Sequence, residues 1–190
     1  MFARFWRSAP ECGQQRDVRH VVMLRPTQPT ASDQLHFLAV GPNDPRAQPL
    51  LDELAVEYAQ RYESTPPTVM AWLRSVPLAD FAPPDGGFLI GEVDGTAVTG
   101  GAFQRFDAET AELKRIWTDS ANRRCGYASA LLVELENTIA ARGYRRVYPT
   151  TGHRQPEAEA LYESTGYTRL SEPLPSRGPV FPIAFVKDLP

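Results

Sequence analysis

Residues 111–139 read AELKRIWTDSANRRCGYASALLVELENTI, and this stretch decides the fold. Its first part, residues 111–118, is predicted as a strand. In its second part, apolar residues recur at helical spacing and predict a helix from about residue 126 to residue 142. One face of that helix carries Ala128, Leu131, Leu132, Leu135 and Ile139. Gly143 supplies the left-handed stop, so strand, turn and helix follow one another directly.

The residues before this stretch predict an antiparallel meander. Asp94-Gly95 lies between the apolar runs 88–93 and 97–103, and it is a strong hairpin signal because both of its residues accept a positive φ. The strand at 111–118 follows a few residues later. Further upstream, residues 36–40 are a short strand candidate, residues 51–62 show helical apolar spacing, and a shorter helix is predicted near residues 68–75.

The residues after the stretch complete the order of elements. A strand is predicted at 146–150, broken by Pro149, and a helix begins near Pro156 and ends at Gly166. Two short strands, 167–170 and 182–186, close the chain. The order β-α-α-β-β-β-α-β-α-β-β predicts an α+β fold. We expect one domain with a mixed, mostly antiparallel sheet that helices cover on both faces.

Length and composition fit one domain preceded by an extra segment. The chain has 190 residues and 18 prolines, close to twice the average proline usage of roughly 5%. Residues 1–33 contain several of these prolines and lack apolar periodicity, so we expect a loosely ordered arm followed by a domain at residues 34–190. Met23 is a second candidate for the translation start.

Charge and cysteine content exclude several functional classes. The formal net charge of -3 gives no general basic surface, so a nucleic-acid partner is not expected. Cys12 and Cys125 lie far apart, without C-x-x-C spacing or a histidine pair nearby, so we expect neither a metal site nor a structural disulfide. No apolar run has the length of a secretory signal or a membrane span. We therefore expect a cytoplasmic protein without a membrane partner.

The turn Arg123-Arg124-Cys125-Gly126-Tyr127-Ala128 is a candidate anion site. A helix N-terminus presents backbone N–H groups without intrahelical partners, and the helix dipole favours negative charge there. Gly126 allows close backbone approach, and the two arginines add positive charge. The alternative is an ordinary strand-to-helix turn with solvated arginines, because the pattern Arg/Gln-x-x-Gly-x-Gly/Ala also arises by chance.

With its flanking sequence, this turn resembles the GCN5-related N-acetyltransferase (GNAT) family. Arg123, Gly126 and Ala128 match the family's Arg/Gln-x-x-Gly-x-Gly/Ala signature. A later family pattern, Asn-x-x-Ala-x-x-Leu-Tyr-x-x-x-Gly-Phe, is matched with two replacements, Gln155 for the asparagine and a tyrosine for the phenylalanine. The matching positions are Ala158, Leu161, Tyr162, Gly166 and Tyr167. The resemblance spans roughly residues 87–170.

The resemblance implies acetyl-coenzyme A (acetyl-CoA) as cosubstrate, with no metal and no covalent enzyme intermediate. The backbone of Ile116, Trp117 and Thr118 would bind the pantetheine arm in the manner of an added strand. The pyrophosphate would lie on the turn and the first helical residues, with Gln155 as a further cofactor-binding residue. The turn positions are Arg123, Arg124, Cys125, Gly126, Tyr127, Ala128 and Ser129.

The same resemblance implies roles for two side chains. Tyr162 corresponds to a tyrosine that protonates the leaving thiolate, and Glu112 to a position where some relatives keep the general base. The structural alternatives are a core tyrosine and a glutamate that pairs with Lys114 or Arg115 or faces solvent. Tyr58 and Tyr62 are candidate acceptor-site residues, although their helical spacing fits core packing equally well.

These observations favour an N-acetyltransferase that acts on a primary amine of a small molecule or peptide, by direct attack in a ternary complex. The alternative is a domain of the same fold that binds coenzyme A (CoA) as a sensor or partner module without catalysis. A protein that binds another nucleotide is disfavoured because Gly-x-x-x-x-Gly-Lys-Ser/Thr is absent from the sequence. The residues do not decide between a monomer and a homodimer, and they do not identify the acceptor.

Overall fold

The computed structural model describes residues 34–175 and 181–190. The predicted N-terminal arm, 1–33, lies outside these residues. The first half of the chain forms β1 (His36–Ala39), α1 (Gln48–Arg61), α2 (Pro66–Leu73), β2 (Gly87–Val93), β3 (Thr96–Arg105) and β4 (Thr110–Thr118). The second half forms α3 (Tyr127–Ala141), β5 (Arg146–Thr151), α4 (Pro156–Ser164), β6 (Thr168–Arg169) and β7 (Ile183–Asp188).

The strands form a seven-stranded sheet in the order β1-β2-β3-β4-β5-β7-β6. Only the β4–β5 pair is parallel among the described strands, and every other pair is antiparallel. Asp94 and Gly95 have φ angles of 51° and 75°, so the β2–β3 turn has the backbone that its sequence predicts. The predicted α+β fold with a mixed, mostly antiparallel sheet is confirmed.

Two cores lie on opposite faces of this sheet. On one face, α1 and α2 bury Leu50, Leu54 and Leu73 against β2 and β3. On the other face, Leu131, Leu132, Leu135 and Ile139 of α3 are fully buried, so the apolar stripe of the sequence is the packed stripe. Helix α4 is joined to this second core by Tyr162, which packs on Phe185 of β7 with ring centroids 5.5 Å apart.

A β-bulge in β4 changes which residues face α1 and α2. Gly100 of β3 pairs with Trp117 and Ala102 pairs with Lys114, so two residues of β4, Arg115 and Ile116, lie opposite the single residue Gly101. Arg115 has φ 58°, which is left-handed. The extra residue interrupts the alternation of side chains. Lys114 and Arg115 therefore both face the α1–α2 side, while Ile116 packs in the other core.

Strands β4 and β5 separate part-way along their length. Their parallel pairing runs from Thr110–Arg146 to Leu113–Pro149 and ends there. Pro149 has no N–H to donate, so it ends the ladder with β4. The expectation that Pro149 breaks β5 itself was wrong. The strand continues to Thr151 because its other edge stays paired with β7, through Thr150–Ala184 and Thr151–Ile183.

Gly86 fixes the segment that leads into β2, and we predict a large loss of stability for Gly86→Ala. A Cβ at this position would lie 1.9 Å from the backbone oxygen of Asp80 and 2.9 Å from that of Phe103. Because both neighbours are backbone atoms, no side chain can turn away. We expect the free energy of unfolding to fall by about 2–3 kcal/mol in urea denaturation.

Gly41→Ala is the matched control for Gly86→Ala. No atom lies within 4 Å of a Cβ placed on Gly41. We expect its effect on the free energy of unfolding to stay below about 0.5 kcal/mol. Equal stabilities of the two variants would contradict the close backbone approach at Gly86.

Candidate active site

A cleft of about 2020 Å³ opens where β4 and β5 separate. Its walls come from α1, α2, the end of β4, the turn before α3, and α4. Tyr162, Glu112 and residues 116–118 all line it, and so do Arg124, Gly126 and Ala128 of the predicted phosphate turn. Residues that are far apart in sequence therefore meet in one space.

The turn before α3 has the backbone of an anion site. Gly126 is the N-terminal cap of α3 with φ 83°, and no side chain of the described residues caps this helix. The first bond into the helix runs from the Ala130 N–H to Gly126 O, 3.1 Å away. The amides of Ala128 and Ser129 precede that bond, so they belong to the helical turn whose N–H groups lack intrahelical acceptors. Negative charge is favoured at this end of the helix.

The two arginines of the turn differ in what they contact. Arg123 is held by α1, because its Nη2 lies 2.6 Å from Glu57 Oε2. Arg124 has φ 63°, is exposed, and makes no ion pair within residues 34–175 and 181–190. The sequence predicted that both arginines add charge for a phosphate group. The structure leaves Arg124 as the arginine whose charge no carboxylate of the described chain compensates.

The end of β4 offers a backbone edge rather than side chains. Trp117 is 3% exposed, and its Nε1 donates to Glu53 Oε2 of α1 at 2.6 Å. Thr99 Oγ1 donates to the Trp117 carbonyl at 2.7 Å and fixes this part of the strand from the β3 side. On the opposite edge of β4, the pairing with β5 ends at Leu113, and the described residues beyond it have no strand partner on that side. An extended chain can pair with it as an added strand.

Tyr162 lies in the second core and reaches the cleft. It is 4% exposed, and its ring packs on Tyr167 and Phe185 with centroid distances of 5.5 Å each. Burial raises the pKa of the Tyr162 phenol well above its usual value, and the nearby Tyr58 phenol raises this pKa further. Its hydroxyl is therefore a proton donor throughout the neutral range. The core-tyrosine alternative describes its ring, and a catalytic role of the hydroxyl stays a prediction.

Glu112 is held by two neighbouring side chains on the α1–α2 face of the sheet. It is 8% exposed, accepts a hydrogen bond from Gln104 Nε2 at 3.0 Å, and pairs with Lys114 Nζ at 2.5 Å. Of the structural alternatives, the pair with Lys114 is present, whereas Arg115 contacts the Leu73 carbonyl and the Phe81 ring and the carboxylate does not face bulk solvent. Its position in the cleft allows both the ion pair and a role as base.

Tyr58 and Tyr62 form one side of an aromatic wall together with Trp72 and Phe181. The centroid distances are 6.3 Å for Tyr58–Tyr62, 6.3 Å for Tyr58–Trp72 and 6.1 Å for Trp72–Phe181. Both tyrosines are half-buried and line the cleft, so they combine packing with a face toward a ligand. Burial raises the pKa of Tyr58 above its ordinary value, so this phenol too is protonated at neutral pH.

Gln155 ties the start of α4 to the aromatic wall. Its Oε1 accepts from Thr151 Oγ1 at 3.0 Å and from the Gly152 N–H at 3.3 Å, and the Tyr62 hydroxyl lies 3.5 Å away. Through these contacts the Gln155 side chain holds the loop between β5 and α4 next to the aromatic side chain of Tyr62. A contact between Gln155 and the cofactor stays a prediction.

Several cleft residues were not found as a group from the sequence. Phe106 stacks on Tyr148 at a centroid distance of 4.9 Å, and Phe181 comes from the segment after Pro175. The sequence predicts Arg115 only as a partner for Glu112. The two consecutive cations Lys114-Arg115 are compatible with a bulge that turns both toward one face, but also with a pair that faces solvent.

Within the described residues, no group of His, Cys, Asp and Glu side chains is arranged to hold a metal ion. The helices of this part of the chain are also too short or too polar to cross a bilayer. Nothing in the described cleft therefore assigns a metal to it.

Comparison with known proteins decides the family. The sequence profile of the acetyltransferase (GNAT) family matches residues 47–167, which is more than half of the chain. The chain belongs to the GNAT acetyltransferase family. No curated protein sequence matches this GNAT chain significantly. The profile covers α1 through α4, so it includes every helix that lines the cleft.

Solved structures share the fold of this GNAT chain. A protein from Klebsiella pneumoniae, titled an acyl-CoA N-acyltransferase, has a TM-score of 0.64 and 23% identity, covering 82% of this chain and 97% of that one. PaiA N-acetyltransferase from Thermoplasma acidophilum, in complex with coenzyme A, has a TM-score of 0.63 and 16% identity, with coverages of 82% and 99%. A GNAT acetyltransferase from Elizabethkingia anophelis with acetyl-CoA bound has a TM-score of 0.56 and 16% identity, with coverages of 83% and 99%.

Cys125 allows a direct test of the phosphate turn. It is partly buried beside Gly126, and its Sγ lies 3.8 Å from the Arg123 carbonyl. In a Cys12→Ser background, we expect acetyl-CoA at ten times its Kd to slow alkylation of Cys125 by about tenfold, because a bound ligand covers the turn. Mass spectrometry of the labelled peptide measures the rate. Equal rates with and without acetyl-CoA would count against ligand binding at this turn.

Proposed function

We propose that this protein transfers an acetyl group from acetyl-CoA to a primary amine of a small molecule or peptide. The observation that carries the proposal is the meeting of a buried, protonated tyrosine and a buried carboxylate in one cleft. Tyr162 and Glu112 both line it, and the same cleft contains the uncapped N-terminus of α3 and the unpaired edge of β4. Acyl transfer to an amine needs both a proton acceptor and a proton donor.

The residues of the cleft fit acetyl-CoA in two respects. The N-terminus of α3 and Arg124 supply backbone donors and positive charge for a pyrophosphate. The edge of β4 at residues 116–118 supplies backbone groups for the amide-containing pantetheine arm. When bound there, acetyl-CoA supplies an activated acyl group, and the chain holds the thioester beside the acceptor. Such positioning supplies a large part of the rate.

In this proposal, Glu112 accepts a proton from the acceptor's ammonium group, directly or through water, because only the neutral amine is a nucleophile. The C–N bond forms as the C–S bond breaks, and Tyr162 donates its phenolic proton to the departing sulfur. The second amine proton leaves as the amide forms and restores the phenol. One proton per turnover therefore passes through Glu112 to solvent.

Two features bear on the choice of acceptor. The aromatic wall of Tyr58, Tyr62, Trp72 and Phe181 gives apolar and cation-binding surface next to Glu112. The net charge of -3 offers no support for a nucleic-acid partner.

A cytoplasmic location and a homodimer belong to the same proposal. Light scattering tests the homodimer, for which we expect twice the chain mass of 21.1 kDa.

A thiol-release assay with acetyl-CoA tests the proposed function. The acceptor panel contains amino acids, dipeptides, polyamines and aminoglycosides, and product formation is checked by mass spectrometry. We expect release that depends on one class of amine. Silence across the whole panel, in a protein that binds acetyl-CoA by calorimetry, would instead favour a CoA-binding sensor or partner module.

A further inference from the structure

Arg115 is a half-buried cation that lines the cleft on the same side of the sheet as Glu112. The β4 bulge and its left-handed backbone turn this side chain toward α2, on the same face as Glu112 and Lys114. Its Nη2 donates to the Leu73 carbonyl, and its guanidinium lies over the Phe81 ring, 4.3 Å from the centroid. These two contacts hold the guanidinium plane in one orientation. They leave most of its five N–H donors without a partner among the described residues.

The other cations at this end of the cleft have acidic partners. Lys114 pairs with Glu112 at 2.5 Å and Arg105 pairs with Asp85 at 3.2 Å. Arg115 has no ion pair in residues 34–175 and 181–190. Burial lowers its pKa to about 10, so the guanidinium is still charged at neutral pH. A half-buried charge without a counter-ion is partly desolvated, and an anionic ligand offsets that cost. The structure therefore has one uncompensated positive charge beside the aromatic wall.

Helix α2 locates this charge relative to the reaction. Tyr58, Arg115 and Tyr162 all line the cleft, and Tyr58 packs on Trp72 of α2, next to Leu73, whose carbonyl Arg115 contacts. Arg115 also follows Glu112 by three residues on the same strand. The guanidinium and the proposed base therefore face the same cleft from one strand. A small acceptor can place its amine near Glu112 and a second group near Arg115.

We propose that the acceptor is an amino acid or a similar small amine that carries a carboxylate, and that Arg115 binds this carboxylate. The inference rests on the proposed function and specifies its substrate class. A carboxylate matches the planar fork of an arginine and brings one negative charge for one uncompensated positive charge. A phosphate monoester would bring a second charge, for which the described residues at this end of the cleft provide no further unpaired cation.

Matched acceptors test the carboxylate directly. Phenylalanine, its amide and phenethylamine have the same side chain, and only the first carries a carboxylate. A second set contains glutamate and methionine with their amides. We expect kcat/KM for the acids to exceed that of the amides by about 10- to 100-fold, since hydrogen bonds to charged groups are the strong ones. Equal rates, or a preference for the amides or for polyamines, would overturn the proposal.

Arg115→Met removes the charge and keeps the stem of the side chain. We expect the acid-to-amide preference to fall to about one, while Arg115→Lys keeps part of it, because lysine has the charge without the fork. Because the half-buried guanidinium has no counter-ion in the described residues, its removal should not lower the melting temperature, which separates a lost preference from unfolding. Arg105→Met is the matched control, because Arg105 also lines the cleft and already has Asp85. It should keep the preference.

A binding experiment keeps this test independent of turnover. N-acetylphenylalanine and N-acetylphenylalaninamide are titrated by calorimetry into the CoA-loaded protein and into its Arg115→Met variant. Tighter binding of the acid by wild type alone, with no turnover of any amine, would support the Arg115 site and reject the proposed transferase function. Turnover of amines with no preference for the acid in either experiment would reject the Arg115 site and support the transferase.

Discussion

Tyr162→Phe is expected to lower kcat by about 100-fold or more, because general acid catalysis contributes roughly that much. The substitution removes one hydroxyl and keeps the ring that packs on Tyr167 and Phe185. Since the cofactor contacts proposed here are backbone groups and Arg124, the Kd for acetyl-CoA should not change. Steady-state thiol release gives kcat, and calorimetry gives the Kd. Unchanged kcat in a folded Tyr162→Phe protein would sink the acid role.

The pH dependence adds an independent check on the same residue. Burial, with a smaller effect of the Tyr58 phenol, raises the pKa of Tyr162 above the ordinary tyrosine value of about 10. The phenol therefore stays protonated, and able to donate, at every pH below that value. We expect kcat of the wild type to show no alkaline loss up to about pH 10. A loss with a midpoint near neutral pH would contradict the acid role of a phenol in this environment.

Tyr167→Phe is the matched control for Tyr162→Phe. Tyr167 belongs to the same aromatic cluster, but its hydroxyl donates to Glu136 Oε1 of α3 at 2.9 Å, outside the cleft lining. Loss of that hydrogen bond should reduce the free energy of unfolding by about 1 kcal/mol and leave kcat within about twofold. Comparable losses of kcat in both variants would assign the effect of Tyr162→Phe to packing.

The fold could be predicted where local sequence and tertiary packing favour the same conformation. The stripe of α3 and the Asp94-Gly95 turn are of this kind, because spacing and backbone preference act over a few residues. Pro149 shows the limit. Its missing N–H does end a ladder, but the sequence does not say that β7 pairs with the other edge of β5 and lets the strand continue. Strand neighbours are set by long-range pairing.

The candidate site likewise combines residues that the sequence predicts with long-range contacts that it does not predict. Tyr162 and the predicted phosphate turn belong to sequence motifs, Glu112 is a position that the family resemblance indicates, and the structure brings them to one cleft. The pairing of Arg123 with Glu57 and the wall that joins Trp72 to Phe181 connect elements far apart in the chain. Neither contact can be predicted from the spacing of residues along the sequence. The orientation of Arg115 depends on a bulge that is recognised only from the register of β3 against β4.

Glu112→Gln is expected to lower kcat/KM at neutral pH by about 100-fold, the range of a lost general base. Glutamine has the same shape and can still accept the hydrogen bond from Gln104 Nε2 through its remaining carbonyl oxygen. What it cannot do is take a proton from an ammonium group. Because burial limits solvent access to this position, which is 8% exposed, bulk water is a poor substitute at neutral pH.

The pH profile of Glu112→Gln separates proton transfer from structural damage. As the pH passes the acceptor's own amine pKa, the nucleophile loses its proton in solution and the deficit should shrink toward the wild-type rate. Lys114→Met breaks the same 2.5 Å ion pair from the other side and keeps the carboxylate, so it should retain kcat/KM within about threefold. A deficit of constant size at every pH, or an equal loss in Lys114→Met, would show that the ion pair matters and that Glu112 is not the base.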